Sequence, residues 1–222
     1  MEIENKINEI LECLNNAPWK NHASDYHQTY FKECLRQDKI DGLWMEFGVY
    51  RGRSICQFAE STTNNVYGFD CFEGLPEFWD SQNPKDMFNL NGIIPSGAII
   101  GEHMSPFDPS ETKSTKPWPK NIKLIKGYFD ATLPTFLLEN EGNAAFIHID
   151  SDLYSSAKTV LTLLKDRIVK GTIICFDEIC DYPDFRKHEI KAFAEFLIET
   201  GLSCKCLVYQ PSTYSQGCFV IE

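Results

Sequence analysis

The residues most able to do chemistry in this chain stand at the ends of apolar runs. The stretch LWMEFGVYRGRS, residues 43–54, is an apolar run interrupted by Glu46, then two glycines, Gly48 and Gly52, then helix-forming residue types. A strand, a glycine turn and a helix N-terminus form the entrance to a nucleotide-like site in open α/β sheets. Two glycines four positions apart are not the Gly-x-Gly-x-x-Gly of a dinucleotide fold, and Glu46 would repel a pyrophosphate at that helix N-terminus. A ligand carrying an ammonium and a sulfonium is favoured by the same carboxylate, which points to S-adenosylmethionine (SAM). Asp70 ends the next strand-like run, VYGFD, about 20 residues beyond the glycine loop, the distance at which a carboxylate grips a ribose. Two further acidic groups follow apolar runs: Asp150-Ser151-Asp152 after AAFIHI, and Asp177-Glu178 after GTIICF. Acids in such places either gather round a cation or cap the helices that follow, and Asp152 suits a cap.

Those runs set the elements that must carry the site. Strands are expected at 43–47, 66–70, 122–126, 144–149 and 171–176, with helices at 53–60, from Asp130 or Thr132 into Leu138, from Ser155 or Ser156 to Val169, and at 185–200, where Gly201 is the stop. Runs at 204–209 and 217–221 around Pro211 read as an antiparallel hairpin. Alternating strands and helices closed by a hairpin predict an α/β, Rossmann-like class I methyltransferase fold, a doubly wound, mostly parallel seven-stranded sheet. Before it, Ile3, Ile7, Ile10, Leu11 and Leu14 give a helix over 2–15. A second helix is expected from a Ser24 or Asp25 cap to about residue 38. Residues 1–40 thus read as an N-terminal helical cap that covers the sheet edge, roofs the site or packs on another subunit, and 41–222 as the methyltransferase domain. Within it, 77–119 has no clear period but holds Phe78, Trp79, Phe88 and Trp118. A partly ordered lid or insert is expected there.

Composition excludes several classes. The 222 residues carry a net charge of −11, with 43% hydrophobic and 13% aromatic content. A globular domain with no basic surplus for nucleic acid or anionic membrane is expected. Nine cysteines, none in a C-x-x-C pair, read as reduced thiols rather than a disulfide or zinc framework. With no apolar run of membrane-spanning length and charges spaced through the N-terminus, a cytoplasmic protein is expected.

Four stretches together resemble the macrocin-type O-methyltransferases, the TylF/MycF family of SAM- and magnesium-dependent sugar methylases: EFGVYRGRS from Glu46, FDCFEGLP from Phe69, GYFDATLP from Gly127 and HIDSDLYSSAKTVL from His148. FDEICDYPDFRK from Phe176 matches more loosely. The resemblance spans about 43–191. It implies that Glu46, Gly48 and Gly52 cradle the methionine part of SAM and that Asp70 holds its ribose. Tyr50, Ser54, Phe72, Gly127 and Phe129, within the same stretches, complete the implied cofactor set. It further implies Mg2+ on Asp150, Asp177 and Glu178. The chain departs from the family pattern at Glu178, where Asp is usual, at Ser151, where Gly is usual, and at His148.

An aliphatic hydroxyl must be acidified or lose its proton before it accepts a methyl group. Carboxylates at the ends of neighbouring strands, about 4.8 Å apart, can share one magnesium ion. Asp150 is the first candidate base; His148 and His103 are the others. Tyr50, Tyr128 and Tyr154 line the site or pack. Arg186, Lys187 and Lys191 bind an acceptor phosphate or form a solvated helix face. The expectation is a magnesium-assisted O-methyltransferase of a small-molecule, sugar-type acceptor, acting as a homo-oligomer. A catechol-like acceptor and a non-catalytic SAM-binding subunit are the alternatives.

Overall fold

The computed structural model describes residues 1–20, 28–35, 40–79, 84–99 and 115–222. Its strands are β1 (Trp19–Lys20), β2 (Leu43–Phe47), β3 (Val66–Asp70), β4 (Ala98–Ile99), β5 (Thr115–Lys116), β6 (Ile122–Lys126), β7 (Ala144–Ile149), β8 (Ile173–Cys180), β9 (Cys204–Gln210) and β10 (Ser215–Ile221). The helices are α1 (Glu2–Asn15), α2 (Gln28–Cys34), α3 (Arg53–Ala59), α4 (Phe129–Glu139), α5 (Tyr154–Leu164) and α6 (Glu189–Thr200). The main sheet runs β1-β9-β10-β8-β7-β2-β3-β6. Seven of these strands are the expected ones, parallel from β8 to β6 with β10 antiparallel to both β8 and β9. The eighth is the two-residue β1, parallel to β9 at the edge. It was not anticipated, because two residues carry no periodicity.

β2, β7 and most of β8 are buried along their length, which explains their continuous apolar runs: both faces of a parallel sheet are covered. One face packs Ile7, Ile10 and Leu14 of α1, Leu133 of α4, Val160 and Leu161 of α5 and Phe193 of α6 into a single core. The other packs Phe31 of α2 and Ile55 and Phe58 of α3 against Trp44 and Phe146. The two N-terminal helices therefore enter opposite layers rather than form one cap. At the β6 edge Lys123 and Lys126 interrupt the apolar residues, and charges on an edge strand blunt it.

From β2 the chain moves outward to β3 and β6, then returns to β7 on the other side of β2. The topological switch therefore lies between β2 and β7, where open α/β sheets bind ligands at the carboxyl ends of their strands. β8 runs past Asp177 and Glu178 to Cys180, because β10 stays paired with it up to Ser215↔Cys180 across a register shift. α5 ends five residues short of Val169, and a short 3-10 turn, Phe185–Lys187, precedes α6, which Gly201 stops with φ of 69°. Where described, residues 77–119 are pinned: Met87 and Leu90 are buried, β4 pairs with β5, and Trp79 packs on Tyr182 and Tyr214. The Ser24 and Asp25 caps lie outside the described residues, as does His103. Among the described residues no helix is long and apolar enough to cross a membrane.

Candidate active site

The glycine loop is shaped by what its backbone meets. Gly48 has φ of 93° and Gly52 79°; a Cβ at Gly48 would overlap the Asp150 carbonyl, and one at Gly52 the Trp118 ring. The strand-to-helix turn can approach β7 and the insert this closely only with glycine. Asp70, at the end of β3, clamps the loop. Its Oδ2 accepts the N–H groups of Val49 (2.8 Å) and Tyr50 (2.7 Å), and its Oδ1 accepts that of Phe72 (2.6 Å). A carboxylate offers about four acceptor positions, so one remains for a ligand hydroxyl.

Below the loop lies a cavity of about 620 Å³, within the usual range for small-molecule sites. Of the residues singled out in the sequence, Gly48, Tyr50, Gly52, Ser54, Asp70, Gly127, Phe129, Asp150, Asp177 and Glu178 all line it, as does Tyr128. Phe129 stands edge-on to Phe47 at 5.4 Å, which fixes the α4 end of the wall.

Glu46, His148 and Phe72 do not reach the cavity. Glu46 pairs in register with Gly68 on one side and His148 on the other, so the two polar side chains share the sheet face that α2 and α3 cover. Both are fully buried. Glu46 Oε1 accepts the Ser54 hydroxyl at 2.7 Å, and its Oε2 faces His148 Nδ1 at 3.6 Å. Burial opposes charge on the His148 ring, but the facing Glu46 carboxylate outweighs it and raises the pKa. Phe31 closes over the ring edge-on at 5.0 Å. His148 is thus a core histidine, and Glu46 stands behind the cavity wall, bonded to Ser54 and with an oxygen within 4.8 Å of Asp150. Phe72, at φ of 58°, packs into the same layer. Tyr154 donates to Glu195 (2.8 Å). Arg186 binds Glu4 (3.0 Å), Lys187 pairs with Asp184 (2.9 Å), and Lys191 lies over the Tyr154 ring. These cations are engaged on the outer face.

The acids converge as the strand order requires. β7 and β8 are parallel neighbours, and oxygens of Asp150, Asp177 and Glu178 lie within 4.8 Å of one another. Gln216 of β10 donates to Asp177 Oδ1, and the Ser54 hydroxyl, bonded more closely to Glu46, stands 3.5 Å from Asp150 Oδ2. Burial, and next the Asp177 charge, push Asp150 and Glu178 well above the ordinary carboxylate range; the same two causes bring Asp152 to about 7. Glu178 Oε2 is buried with no hydrogen-bond partner. Such a set is costly without a cation and can hold a hard one through oxygen. None of these acids caps a helix: α5 begins after Leu153 and α6 after His188, neither with a side-chain cap. Asp152, expected as a cap, is buried in the cavity wall at φ of 63°.

Three contributors were not singled out in the sequence. Arg51, 2% exposed, lies over the Tyr50 ring at 4.9 Å and lines the cavity. Fully buried Glu189 accepts the Ser151 N–H (3.4 Å) and hydroxyl (3.5 Å), holding the Asp150–Asp152 turn from α6. Gln216 lies in the hairpin, far from the motif it serves. Only Arg51 had a signal, its place inside the glycine loop.

Comparison with known proteins bears on what this arrangement does. Residues 27–202 match the family model of TylF, macrocin-O-methyltransferase. Comparison with curated proteins gives no match. Among solved structures, the calicheamicin methyltransferase CalS11 is 21% identical, with a TM-score of 0.64, covering 98% of this chain and 91% of that one. The O-methyltransferase NovP is 14% identical, at 0.56, covering 98% and 97%. An O-methyltransferase from Bacillus cereus in complex with SAH is 13% identical, at 0.53, covering 98% and 91%. At these identities the likeness is one of fold.

Proposed function

This chain belongs to the TylF macrocin-O-methyltransferase family and is an O-methyltransferase, and from that premise we propose that it methylates a hydroxyl of a sugar or sugar-bearing metabolite, using SAM and Mg2+. The carrying observation is that the glycine loop, Asp70 and the Asp150–Asp177–Glu178 set border one cavity.

In this reading Gly48, Gly52 and Ser54 frame the methionine end of the cofactor, Asp70 takes a ribose hydroxyl with its remaining acceptor position, and Gly127 and Phe129 border the base. SAM supplies the methyl group on its sulfonium. The residues fit a divalent ion: three carboxylates with converging oxygens, one with an orphaned buried oxygen. Asp150, Asp177 and Glu178 would hold Mg2+, which acidifies a hydroxyl when bound. Asp150 accepts the proton, since its carboxylate belongs both to the acid set and to the loop wall beside Ser54. Leu75 and Pro76, just ahead of the insert, and Phe88 within it supply an apolar acceptor wall and shield the reacting atoms from water.

The sugar acceptor follows the family and the relative described as a TDP-rhamnose 3'-O-methyltransferase. The test is mass spectrometry of products after a panel of nucleotide sugars, macrolide glycosides and catechols is incubated with SAM and Mg2+. A gain of one methyl on a sugar is expected. Transfer confined to catechols, or to none of the panel, contradicts the sugar reading.

A further inference from the structure

Outside the cavity the least ordinary chemistry belongs to Cys13, in the last turn of α1, and Cys204, which opens β9. Both are partly exposed, and neither borders the cavity. The backbone N–H of Cys206 donates to Cys13 Sγ at 2.9 Å, and Cys204, two residues earlier on β9, packs with Cys13 against the same core. We propose that Cys13 and Cys204 form a reactive thiol pair that is attacked through Cys13 by small disulfides of the glutathione type and closes into a Cys13–Cys204 bridge.

A donor aimed at a sulfur stabilises the thiolate over the thiol. The neighbouring Cys204 thiol leads, the Cys206 N–H adds to it and nearby Lys205 contributes. Partial burial and the Glu222 charge oppose, and the net is a Cys13 pKa of about 6. The carbonyl end of α1 also opposes the charge, so these neighbours carry the effect. Cys204 is pushed up, first by Cys13 beside it, with Lys6 the cation near it. The pair is therefore asymmetric, one nucleophilic thiolate beside one protonated resolving thiol. The other close cysteines do not compete. Cys34, Cys175 and Cys218 cluster with Sγ separations of 3.7 and 2.9 Å but are fully buried. Cys206 is 2% exposed, and its Sγ is engaged with the Val208 carbonyl.

The chemistry balances with one oxidised glutathione. The Cys13 thiolate attacks one of its sulfurs, forming a mixed disulfide and expelling a glutathione thiolate. Cys204 gives its proton to solvent and attacks the Cys13 sulfur, expelling the second glutathione. Two protein thiols are oxidised and one disulfide is reduced to two thiols. The product staples α1 to β9.

Trypsin separates the players, since Lys6, Lys20, Lys191 and Lys205 place Cys13 in peptide 7–20, Cys204 in 192–205 and Cys206 in 206–222. In the folded full-length protein, iodoacetamide should label Cys13 with a midpoint near pH 6 and, at pH 7, about two- to threefold faster than an ordinary thiol of pKa about 8.5, because the larger thiolate fraction is partly offset by lower nucleophilicity. Oxidised glutathione should then link peptides 7–20 and 192–205. In Cys204→Ser, glutathione should remain on Cys13; in Cys13→Ser, no bridge should form. A Cys13 midpoint near 8.5, a 7–20 to 206–222 linkage, or no uptake by either cysteine overturns the proposal.

Discussion

Asp150→Asn should lower kcat by about 10²–10⁴-fold at saturating Mg2+, the range expected when general-base catalysis is lost. The substitution keeps the shape of the side chain but removes a charge and the proton acceptor. Asp150 is the acid that belongs to both halves of the site: its oxygens join those of Asp177 and Glu178, and the Ser54 hydroxyl stands beside it. Ser54 also holds Glu46 on the covered sheet face, so the wall behind Asp150 stays in place when its charge is removed. Affinity for S-adenosylhomocysteine should change little, because the loop and Asp70 are untouched. Metal titration of turnover, with the acceptor the panel identifies, checks this. Full rescue of Asp150→Asn by excess Mg2+ would reduce Asp150 to a ligand. Since His148 is sealed under Phe31, the base would then have to be sought elsewhere in the cavity wall.

Asp70→Ala should be the most damaging change to cofactor binding. It leaves the N–H groups of Val49, Tyr50 and Phe72 without their carboxylate. Hydrogen bonds to a charged group contribute about 1.5–3 kcal/mol each, and one such loss from the ligand's own contacts already exceeds tenfold in affinity. The freed loop should add a second cost, because Tyr50 and Phe72 stand at positive φ, a strained conformation that those bonds help to hold. Calorimetric titration with S-adenosylhomocysteine is the measurement. An unchanged dissociation constant would mean that Asp70 neither contacts the ribose nor shapes the loop.

What could be read in the sequence was whatever local pattern determines. The α1 period of Ile3, Ile7, Ile10 and Leu14 placed that helix at its observed bounds, and the distance from the glycine loop singled out Asp70. Pairings made far along the chain were not legible. β8 continues beyond Asp177 because β10 holds it. Glu189 and Gln216 reach the acids from α6 and the hairpin, and no spacing rule connects them to Asp150. Glu46 shows the limit of reading a carboxylate at a strand end. Both faces of β2 are buried, so alternation did not reveal that its side chain turns toward His148 and Ser54, beneath the cavity wall rather than into the cavity. Asp152 was misplaced for a related reason: a left-handed residue before a helix resembles a cap in sequence, while its side chain joins the wall.

The central claim is that the three converging acids are a magnesium site for methyl transfer. Its most direct test is calorimetric titration of Mg2+ into chelator-treated protein with S-adenosylhomocysteine present, on the wild type and on Asp177→Asn/Glu178→Gln. One ion per chain should bind the wild type. The double variant should bind at least tenfold more weakly, having lost two of its three charged ligands, while its S-adenosylhomocysteine affinity is kept. No detectable Mg2+ binding to the wild type, or equal binding by the double variant, would contradict the account.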